Sequence, residues 1–378
     1  MKFEEDILWS EGLFLQPHHL QNMQRIDERR IRNERSFYLP YTYGLIDFEI
    51  DEEALQNSRI VPKRISAVMP DGEEISMPGN TVISPLDVTK EIQDHVPSIT
   101  IYLALPVWSE FDANLLEEHV AGGRRQFICH ETTTRDENTG ENEITVMRRR
   151  YNVRLTTDKR ENTDLQLLPI LRLAPHYREV GEPVVQIDKN YVPPFITLSQ
   201  DCPLTSMLEE LNIQIANRRN KILHDLSESG FTTDALSGST LYSVLQLRTL
   251  SSYIGRVRTA FSARNATPFW MFLELKALLG ELSALQPLRE TDTDMEYNHI
   301  DAGPQFASLL TNIRSLIMQD GLSSYIKLEF SINNNNHSGI IQLKDEHLIA
   351  ADDYYLALQC EGDPRKVART VELGDNIK

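Results

Sequence analysis

The strongest constraint on the fold is a change of hydrophobic period at Tyr191-Val192-Pro193-Pro194-Phe195. Before this segment apolar residues mostly alternate with polar ones, and after it they recur every three or four positions. Two adjacent prolines force an extended backbone and can continue neither a strand ladder nor a helix. We therefore predict that Pro193 and Pro194 form a domain linker, with β-structure before it and helices after it.

Alternation and turn signals predict strands in the first half. Residues 99–105 and 151–155 alternate between apolar and other side chains, as on a pleated face. Asp71-Gly72 separates residues 65–69 from 74–77 and predicts a tight hairpin, because glycine accepts a positive φ. A polar stretch, residues 131–143, predicts the solvated tip of a second, longer hairpin. Repeated short strands joined by turns are typical of a β-sandwich.

One amphipathic helix is predicted ahead of these strands. Pro17 suits the first helical position, where a backbone N–H is not needed. Leu20, Met23, Ile26 and Ile31 follow at helical spacing, and Pro40 disfavours helix at the residue before it. We expect the helix to end near residue 38.

Helical periodicity in the second half predicts four helices. The apolar runs fall at residues 204–226, 247–261, 272–285 and 306–317. Thr267 suits the N-cap of the third helix and Pro268 its first residue. Short polar loops between the runs favour an antiparallel helical bundle whose stripes are core.

The last stretch returns to a strand-like pattern at residues 325–330 and 354–360, with a loop of asparagines at 333–336. We therefore predict an α+β multidomain protein with three domains. Residues 1–190 form an N-terminal β-rich domain, 191–320 the helical bundle, and 321–378 a small C-terminal α/β or β-rich domain. A domain that small buries little surface and is weakly stable alone.

Charge and composition exclude several classes of function. The formal net charge of −18 repels phosphate backbones, so we expect no nucleic-acid partner. Three short basic clusters are interpreted as solvated faces or protein contacts, at Arg29-Arg30, Arg124-Arg125 and Arg148-Arg149-Arg150. No apolar run approaches the ~20 residues of a membrane span. The acidic N-terminus lacks a signal-peptide pattern, and three scattered cysteines suit a reducing compartment, so we expect a cytoplasmic protein.

The sequence offers no catalytic constellation, and we predict no catalytic, cofactor-binding or metal-binding residues. Phosphate-binding glycine loops and nucleophile-elbow motifs are absent from it. His130-Glu131 begins like a zinc-protease motif, but Thr134 occupies the position of the second histidine. His18 and His19 would diverge by about 100° on a helix, so they cannot readily chelate one ion. A hydrolase with a site outside known motifs, at His130 or His299, stays an alternative.

The string from Trp9 to Gln21, Trp-Ser-Glu-Gly-Leu-Phe-Leu-Gln-Pro-His-His-Leu-Gln, is the most specific in the chain. It resembles the N-terminal signature of the TssK family, the baseplate subunits of bacterial type VI secretion systems. That signature runs W-x-E-G-(apolar)-F-L-x-P-Q-H-F-Q. Here His18 replaces the usual glutamine and Leu20 the usual phenylalanine.

Four further strings resemble family motifs in the same order. They are Tyr43-Gly44-Leu45, Met69-Pro70-Asp71-Gly72, the segment Tyr191–Phe195, and Tyr297-Asn298-His299-Ile300-Asp301. The resemblance therefore covers essentially the whole chain. Family members usually continue past residue 378, so we expect the C-terminal domain to be incomplete relative to the family.

The resemblance implies a role and partners. It implies a non-enzymatic homotrimer whose N-terminal domain is like the shoulder of phage receptor-binding proteins. It also implies attachment to the TssF–TssG wedge of the baseplate, and contact of the C-terminal domain with the cytoplasmic parts of TssL and TssM. Such a protein would be peripheral to the inner membrane without inserting into it. A phage-type adhesin that recognises a glycan or protein receptor is the alternative.

The candidate interface or signature residues lie in the first string. Trp9 and Phe14 offer apolar area, Glu11 and Gln16 offer hydrogen bonds, and Gly12 permits a tight turn; Pro17 and His19 complete the set. The local alternative is that Trp9, Phe14 and Leu15 only staple the helix onto the sandwich.

Tyr297, His299 and Asp301 are the candidate signature of the bundle. Their local alternative is that His299 and Asp301 cap the fourth helix, since Asp301 lies three residues before Pro304.

Overall fold

A computed structural model describes residues 5–116, 124–157, 164–176, 184–228, 238–262, 266–285, 295–318, 331–333 and 338–340. The described part is a mixed α/β structure. Its helices are α1 (Pro17–Tyr38), α2 (Glu52–Gln56), α3 (Thr89–Gln93), α4 (Pro203–Glu228), α5 (Gly238–Ser262), α6 (Pro268–Ser283) and α7 (Gly303–Met318). Its strands are β1 (Gly44–Ile50), β2 (Arg59–Ile60), β3 (Pro62–Val68), β4 (Glu74–Met77), β5 (Leu86–Asp87), β6 (Ile99–Pro106), β7 (Leu115–Leu116), β8 (Phe127–Thr134), β9 (Ile144–Tyr151), β10 (Arg154–Thr156), β11 (Leu165–His176), β12 (Val184–Ile187), β13 (Ser331–Asn333) and β14 (Ser338–Ile340).

The strands before residue 190 form small sheets. Their orders are β1-β3-β4, β10-β6-β11-β12, β7-β8-β9 and β2-β5. Both predicted hairpins are confirmed: Asp71-Gly72 connects β3 to β4, and the polar stretch connects β8 to β9. The alternation at residues 99–105 is confirmed as β6, whose neighbour β11 carries Pro169 at a shift in the pairing register. Such an irregularity lets a strand tolerate a residue that has no N–H to donate.

The four predicted helices after the proline segment are confirmed as α4 to α7. Thr267 caps α6 as predicted, since its side chain accepts a hydrogen bond from the Trp270 N–H at 3.1 Å. The helices pack in a closed ring, each on the next and α7 back on α4. Leu208 of α4, Leu275 of α6 and Phe306 of α7 are among the buried residues of these helices.

The chain divides into two units, Met1–Gln319 and Asp320–Lys378. In the second unit the structure describes only the hairpin of β13 and β14. The strands predicted at residues 325–330 and 354–360 lie outside the described residues. The three-domain division stays a prediction.

The proline segment is buried and hydrogen-bonded rather than a free tether. Tyr191 through Phe195 are all buried. The Leu45 N–H donates to the Pro194 carbonyl at 2.7 Å, and the Ile196 N–H donates to the Leu45 carbonyl at 2.9 Å. Gly44 has a φ of 135°, and a Cβ there would lie 2.7 Å from the Pro194 oxygen. The start of β1 therefore needs glycine in order to pair with the prolines.

His299 closes the same junction from the other side. Its Nε2 lies 2.8 Å from the carbonyl oxygen of Tyr43 and its Nδ1 3.0 Å from the hydroxyl of Tyr297. Because a carbonyl oxygen only accepts, Nε2 carries the hydrogen and Nδ1 of the neutral ring accepts from Tyr297. The ring also stacks on Tyr41 with centroids 4.7 Å apart. The neutral imidazole thus joins the segment before α7 to the start of β1.

An ion pair completes the junction. Arg172 of β11 lies 3.0 Å from the Asp301 carboxylate and over the ring of Tyr191 at 4.0 Å. The Tyr191 hydroxyl donates to the Ile300 carbonyl at 3.1 Å, and the Ala302 N–H donates to the Val192 carbonyl at 3.2 Å. These contacts correct the interpretation of His299 and Asp301 as helix caps, because both side chains bind the N-terminal part of the chain instead.

We predict that His299 makes stability depend on pH. Burial lowers the pKa of His299, and the hydrogen bond to the Tyr43 carbonyl opposes that shift only in part. As the pH falls, residue His299 is therefore protonated in the unfolded chain at a higher pH than in the folded chain. The stabilisation is complete above pH ~6.5, the ordinary imidazole pKa, and is lost as the pH falls through the lower folded value. Thermal melts from neutral to mildly acidic pH measure the loss.

Replacing His299 by alanine should lower the free energy of unfolding at neutral pH by about 2–4 kcal/mol, through a cavity and lost hydrogen bonds. The variant should also show a shallower fall of stability with acid. His18 is exposed, so His18→Ala is the matched control and should keep the pH profile of the unaltered chain. An unchanged profile in His299→Ala would contradict the prediction.

Candidate functional site

The structure places the predicted site residues in two regions. Tyr297, His299 and Asp301 lie at the junction with Pro193 and Pro194, where they hold the fold together. The residues of the first string lie at the N-terminus, on the segment that precedes α1 and on its first turn. This second region presents several large apolar side chains to solvent, and it is the candidate site.

A turn shapes the segment before α1. The Leu13 N–H donates to the Ser10 carbonyl at 3.2 Å, and Gly12 adopts a φ of 83°. Glycine reaches this region without the steric cost that a side chain imposes. The turn sets Glu11 on an exposed loop, with Trp9 before it and Phe14 after it.

The start of α1 is built as the sequence predicts. Gln16 is the extended N-cap and Pro17 the first helical residue. The Gln16 N–H donates to Nδ1 of His19 at 3.1 Å, so His19 satisfies a backbone donor at the helix start. The His19 ring also lies 6.2 Å from that of Trp9. His18 is exposed, so the two histidines have separate surroundings and do not converge on an ion.

The large side chains of this region are not buried. Trp9 is 51% exposed and Phe14 is 81% exposed. The same holds for Leu8, Leu13, Leu15, Leu20, Met23, Ile31, Phe37 and Tyr38, and we call these ten residues the N-terminal apolar surface. Of the four apolar positions predicted as the stripe of α1, only Ile26 is buried. In the described chain, therefore, the aromatic residues do not staple the helix to the sheets.

Polar contacts hold α1 in place instead. Arg32 lies 3.1 Å from the buried carboxylate of Glu73, and Arg35 pairs with Glu74. Glu73 also accepts from Gln166 at 3.1 Å, so the helix is anchored to a hydrogen-bonded group between β3–β4 and β11. Burial and the nearby charge of Glu73 raise the pKa of Asp71 in the same turn. These ion pairs hold α1 against the sheets, while most of its apolar side chains stay exposed.

Sequence reasoning missed one further surface, a groove beside α1. The clusters Arg29-Arg30 and Arg148-Arg149-Arg150 are far apart in sequence, yet Arg29, Arg148 and Arg149 line one groove of about 490 Å³. The sequence shows that α1 and β9 both carry basic side chains, but only the tertiary structure shows that the two elements lie side by side.

Two kinds of feature have no candidate among the described residues. Among them, no group of three or more histidine, cysteine, aspartate or glutamate side chains could hold a metal ion. Within the same residues, no helix combines the length and apolar character that a membrane crossing requires. Large exposed apolar patches in a protein mark sites of interaction. The exposed N-terminal apolar surface is therefore the candidate for contact with another protein.

Comparisons with known proteins agree with the family resemblance. The sequence profile of the family described as bacterial type VI secretion, with EvfL, ImpJ and VasE, matches residues 19–373. The type VI secretion system baseplate component TssK1 of Pseudomonas aeruginosa is 23% identical over 323 residues, which cover 84% of this chain and 70% of the relative.

Solved structures share the fold. A chain of the baseplate complex of the type VI secretion system is similar with a TM-score of 0.74 and 23% identity, over 84% of this chain and 100% of that chain. A chain from the TssK–TssF–TssG subcomplex gives 0.72 and 22%, over 83% and 99%. A crystal structure of TssK gives 0.72 and 19%, over 83% and 72%. These matches do not favour the adhesin alternative. The chain belongs to the bacterial type VI secretion family of VasE, the TssK baseplate components.

Proposed function

We propose that this chain is a non-enzymatic trimeric adaptor of the secretion baseplate. Its N-terminal end binds the TssF–TssG wedge, and its C-terminal domain binds the cytoplasmic parts of TssL and TssM. The protein works in the cytoplasm, peripheral to the inner membrane. The observation that carries the proposal is the N-terminal apolar surface on a chain of this family.

The domain arrangement proposed for this role has three parts. Residues 1–190 form a shoulder-like β-sandwich, residues 191–320 an antiparallel helical bundle, and residues 321–378 the C-terminal docking domain. The ring of α4 to α7 and the separate unit at Asp320–Lys378 support this division. The junction at His299 would hold the first two parts in one orientation. The wedge-binding end would then keep a fixed position relative to the helical bundle.

The binding surface proposed for the wedge is the segment around Trp9 and Phe14. An aromatic side chain left in water in the isolated chain gains free energy when a partner covers it. Aromatic anchors also dominate the energetics of most protein interfaces. Trp9, Glu11, Gly12, Phe14, Gln16, Pro17 and His19 supply such anchors, polar groups at their rim and a rigid turn.

We predict that Phe14→Ala and Trp9→Ala weaken wedge binding without unfolding the chain. Loss of an aromatic anchor should cost about 2 kcal/mol of binding or more, roughly a thirtyfold loss of affinity. Because both side chains are exposed, the free energy of unfolding should change by no more than about 0.5 kcal/mol. Co-purification with TssF and TssG, combined with thermal melts, measures both quantities.

The matched control is Phe111→Ala. Phe111 is 93% exposed on the loop between β6 and β7, outside the N-terminal apolar surface. It should leave wedge binding intact. If Phe14→Ala and Phe111→Ala bound the wedge equally well, the interface would lie elsewhere. A drop in stability of about 3–5 kcal/mol on Phe14→Ala would instead show that the side chain is core.

We predict that the chain forms a stable trimer in solution. Three copies side by side raise the effective concentration of each weak contact with a partner assembly. Light scattering coupled to size-exclusion chromatography should return three times the chain mass of 43.4 kDa. A stable monomer across the concentration range would count against the adaptor role.

An adaptor must also bind both partners at once. We predict that immobilised cytoplasmic domains of TssL and TssM retain TssF and TssG only when this chain is present. Phe14→Ala should remove the wedge from the captured complex while the chain itself stays bound to TssL and TssM. Mutually exclusive capture of the two sets of partners would contradict the adaptor model.

A further inference from the structure

The groove beside α1 is a second surface with its own chemistry. It lies between α1, the loop that precedes β7, and the β8–β9 hairpin. Its lining includes Arg25, Trp108, Phe127, Met147, Arg148 and Arg149. It shares no residue with the N-terminal apolar surface, so the two can be tested separately.

The charge of the groove is opposite to that of the chain. Five arginines and two glutamates line it, although the net charge of the chain is −18. Both glutamates are already engaged by protein groups: Glu73 by Arg32 and Gln166, and Glu28 by Arg149 at 3.7 Å. A positive cleft in a negative protein focuses the field for anions.

Aromatic rings help to hold two of these guanidinium groups, and one of the two, Arg149, also pairs with Glu28. Arg25 lies 4.5 Å above the ring of Trp108, and Arg149 lies 4.3 Å above that of Phe127. The Nε of Arg25 is buried and has no hydrogen-bond partner among the described residues. Arg148 is exposed and forms no ion pair within the same part of the chain. The rings fix the positions of these cations while leaving donors for a ligand.

We propose that this groove binds an acidic segment of a protein partner. Carboxylates of an extended peptide would accept from the arginines, with Arg148 at the open edge and Arg25 deeper in the groove. Aromatic and aliphatic side chains of the same peptide would pack on Met147, which is exposed, and on Leu115.

A peptide fits this groove better than a nucleic acid does. A phosphate backbone needs a positive field sustained over many repeats. Here five arginines meet in one groove, and the net charge of −18 opposes a polyanion that extends beyond it. An acidic peptide needs to be no longer than the groove.

The test uses the full chain and two fluorescein-labelled peptides. One is Asp-Glu-Phe-Asp-Glu-Leu-Glu, and the other has every carboxylate replaced by the corresponding amide. We expect the acidic peptide to bind in a fluorescence-anisotropy titration and the amide peptide not to bind. The affinity should fall as the salt rises through about 0.1 M, where the screening length is ~10 Å.

Arg148→Glu should weaken binding of the acidic peptide by about tenfold, because an attractive charge pair becomes a repulsive one in a partly screened groove. Arg148→Gln should weaken it by about threefold, and it serves as the test if the first variant melts early. The matched control is Arg59→Glu, which makes the same change of charge at an exposed site on β2, outside the groove. It should keep the affinity within about twofold.

Four results would overturn the proposal. They are absence of acidic-peptide binding, equal binding of the amide peptide, an unchanged affinity in both Arg148 variants, and preferential binding of a duplex DNA probe that Arg148→Glu abolishes. Dissociation of the oligomer in Arg148→Glu but not in Arg59→Glu would assign the groove to contacts between copies instead. None of these results depends on Phe14, so the wedge proposal and this one fail independently.

Discussion

The structure of the first unit depends on a hydrogen-bonded junction between three segments that are far apart in sequence. The backbone at Leu45 pairs with Pro194 and Ile196, and His299 donates to the carbonyl of Tyr43. Leu45, Pro194 and His299 are buried and the other two residues are partly buried, so a group left without a partner here would carry a cost of desolvation. The cost ties the sheets to the helical ring in a single arrangement. A neutral imidazole suits this position because a buried charge there would have no carboxylate to pair with among the groups it contacts.

The ordered motifs acquire separate physical meanings once the junction is known. Tyr43-Gly44-Leu45, the prolines at 193 and 194, and the string around His299 all meet there, so their spacing serves the fold. The turn at Asp71-Gly72 touches α1, since a Cβ on Gly72 would lie 2.8 Å from the side chain of Arg32. The string from Trp9 is different, because the described fold does not bury it. Gly12, Gln16, Pro17 and His19 have local roles in the turn and the helix start, but the exposed Trp9 and Phe14 have none within the described fold, so contact with a partner is the better explanation for them.

Much of the fold could be predicted from the sequence because its periodicity is strong. The helical runs became α4 to α7, and the turn and proline signals placed both hairpins and the start of α1. Short elements such as α2 and α3 escaped, since five residues carry too little periodicity to register. The site was harder. Leu20, Met23 and Ile31 keep helical spacing whether a sheet or a partner covers them, so a pattern can locate the apolar face but not its occupant. The structure shows that these three residues are exposed, so the described chain itself does not cover them.

The two exposed surfaces ask for different partner chemistry, and this follows from how α1 is held. Ion pairs with Glu73 and Glu74 anchor the helix, which frees its apolar residues for one side. On a different face of α1, Arg25 and Arg29 line the groove together with Arg148 and Arg149 of β9. Apolar contacts set how tightly two proteins stay together, whereas charges mainly govern how fast and in what register they meet. The net charge of −18 opposes the approach of acidic partners, whereas the five arginines of the groove attract them, so the groove can orient an acidic segment before the aromatic residues are covered.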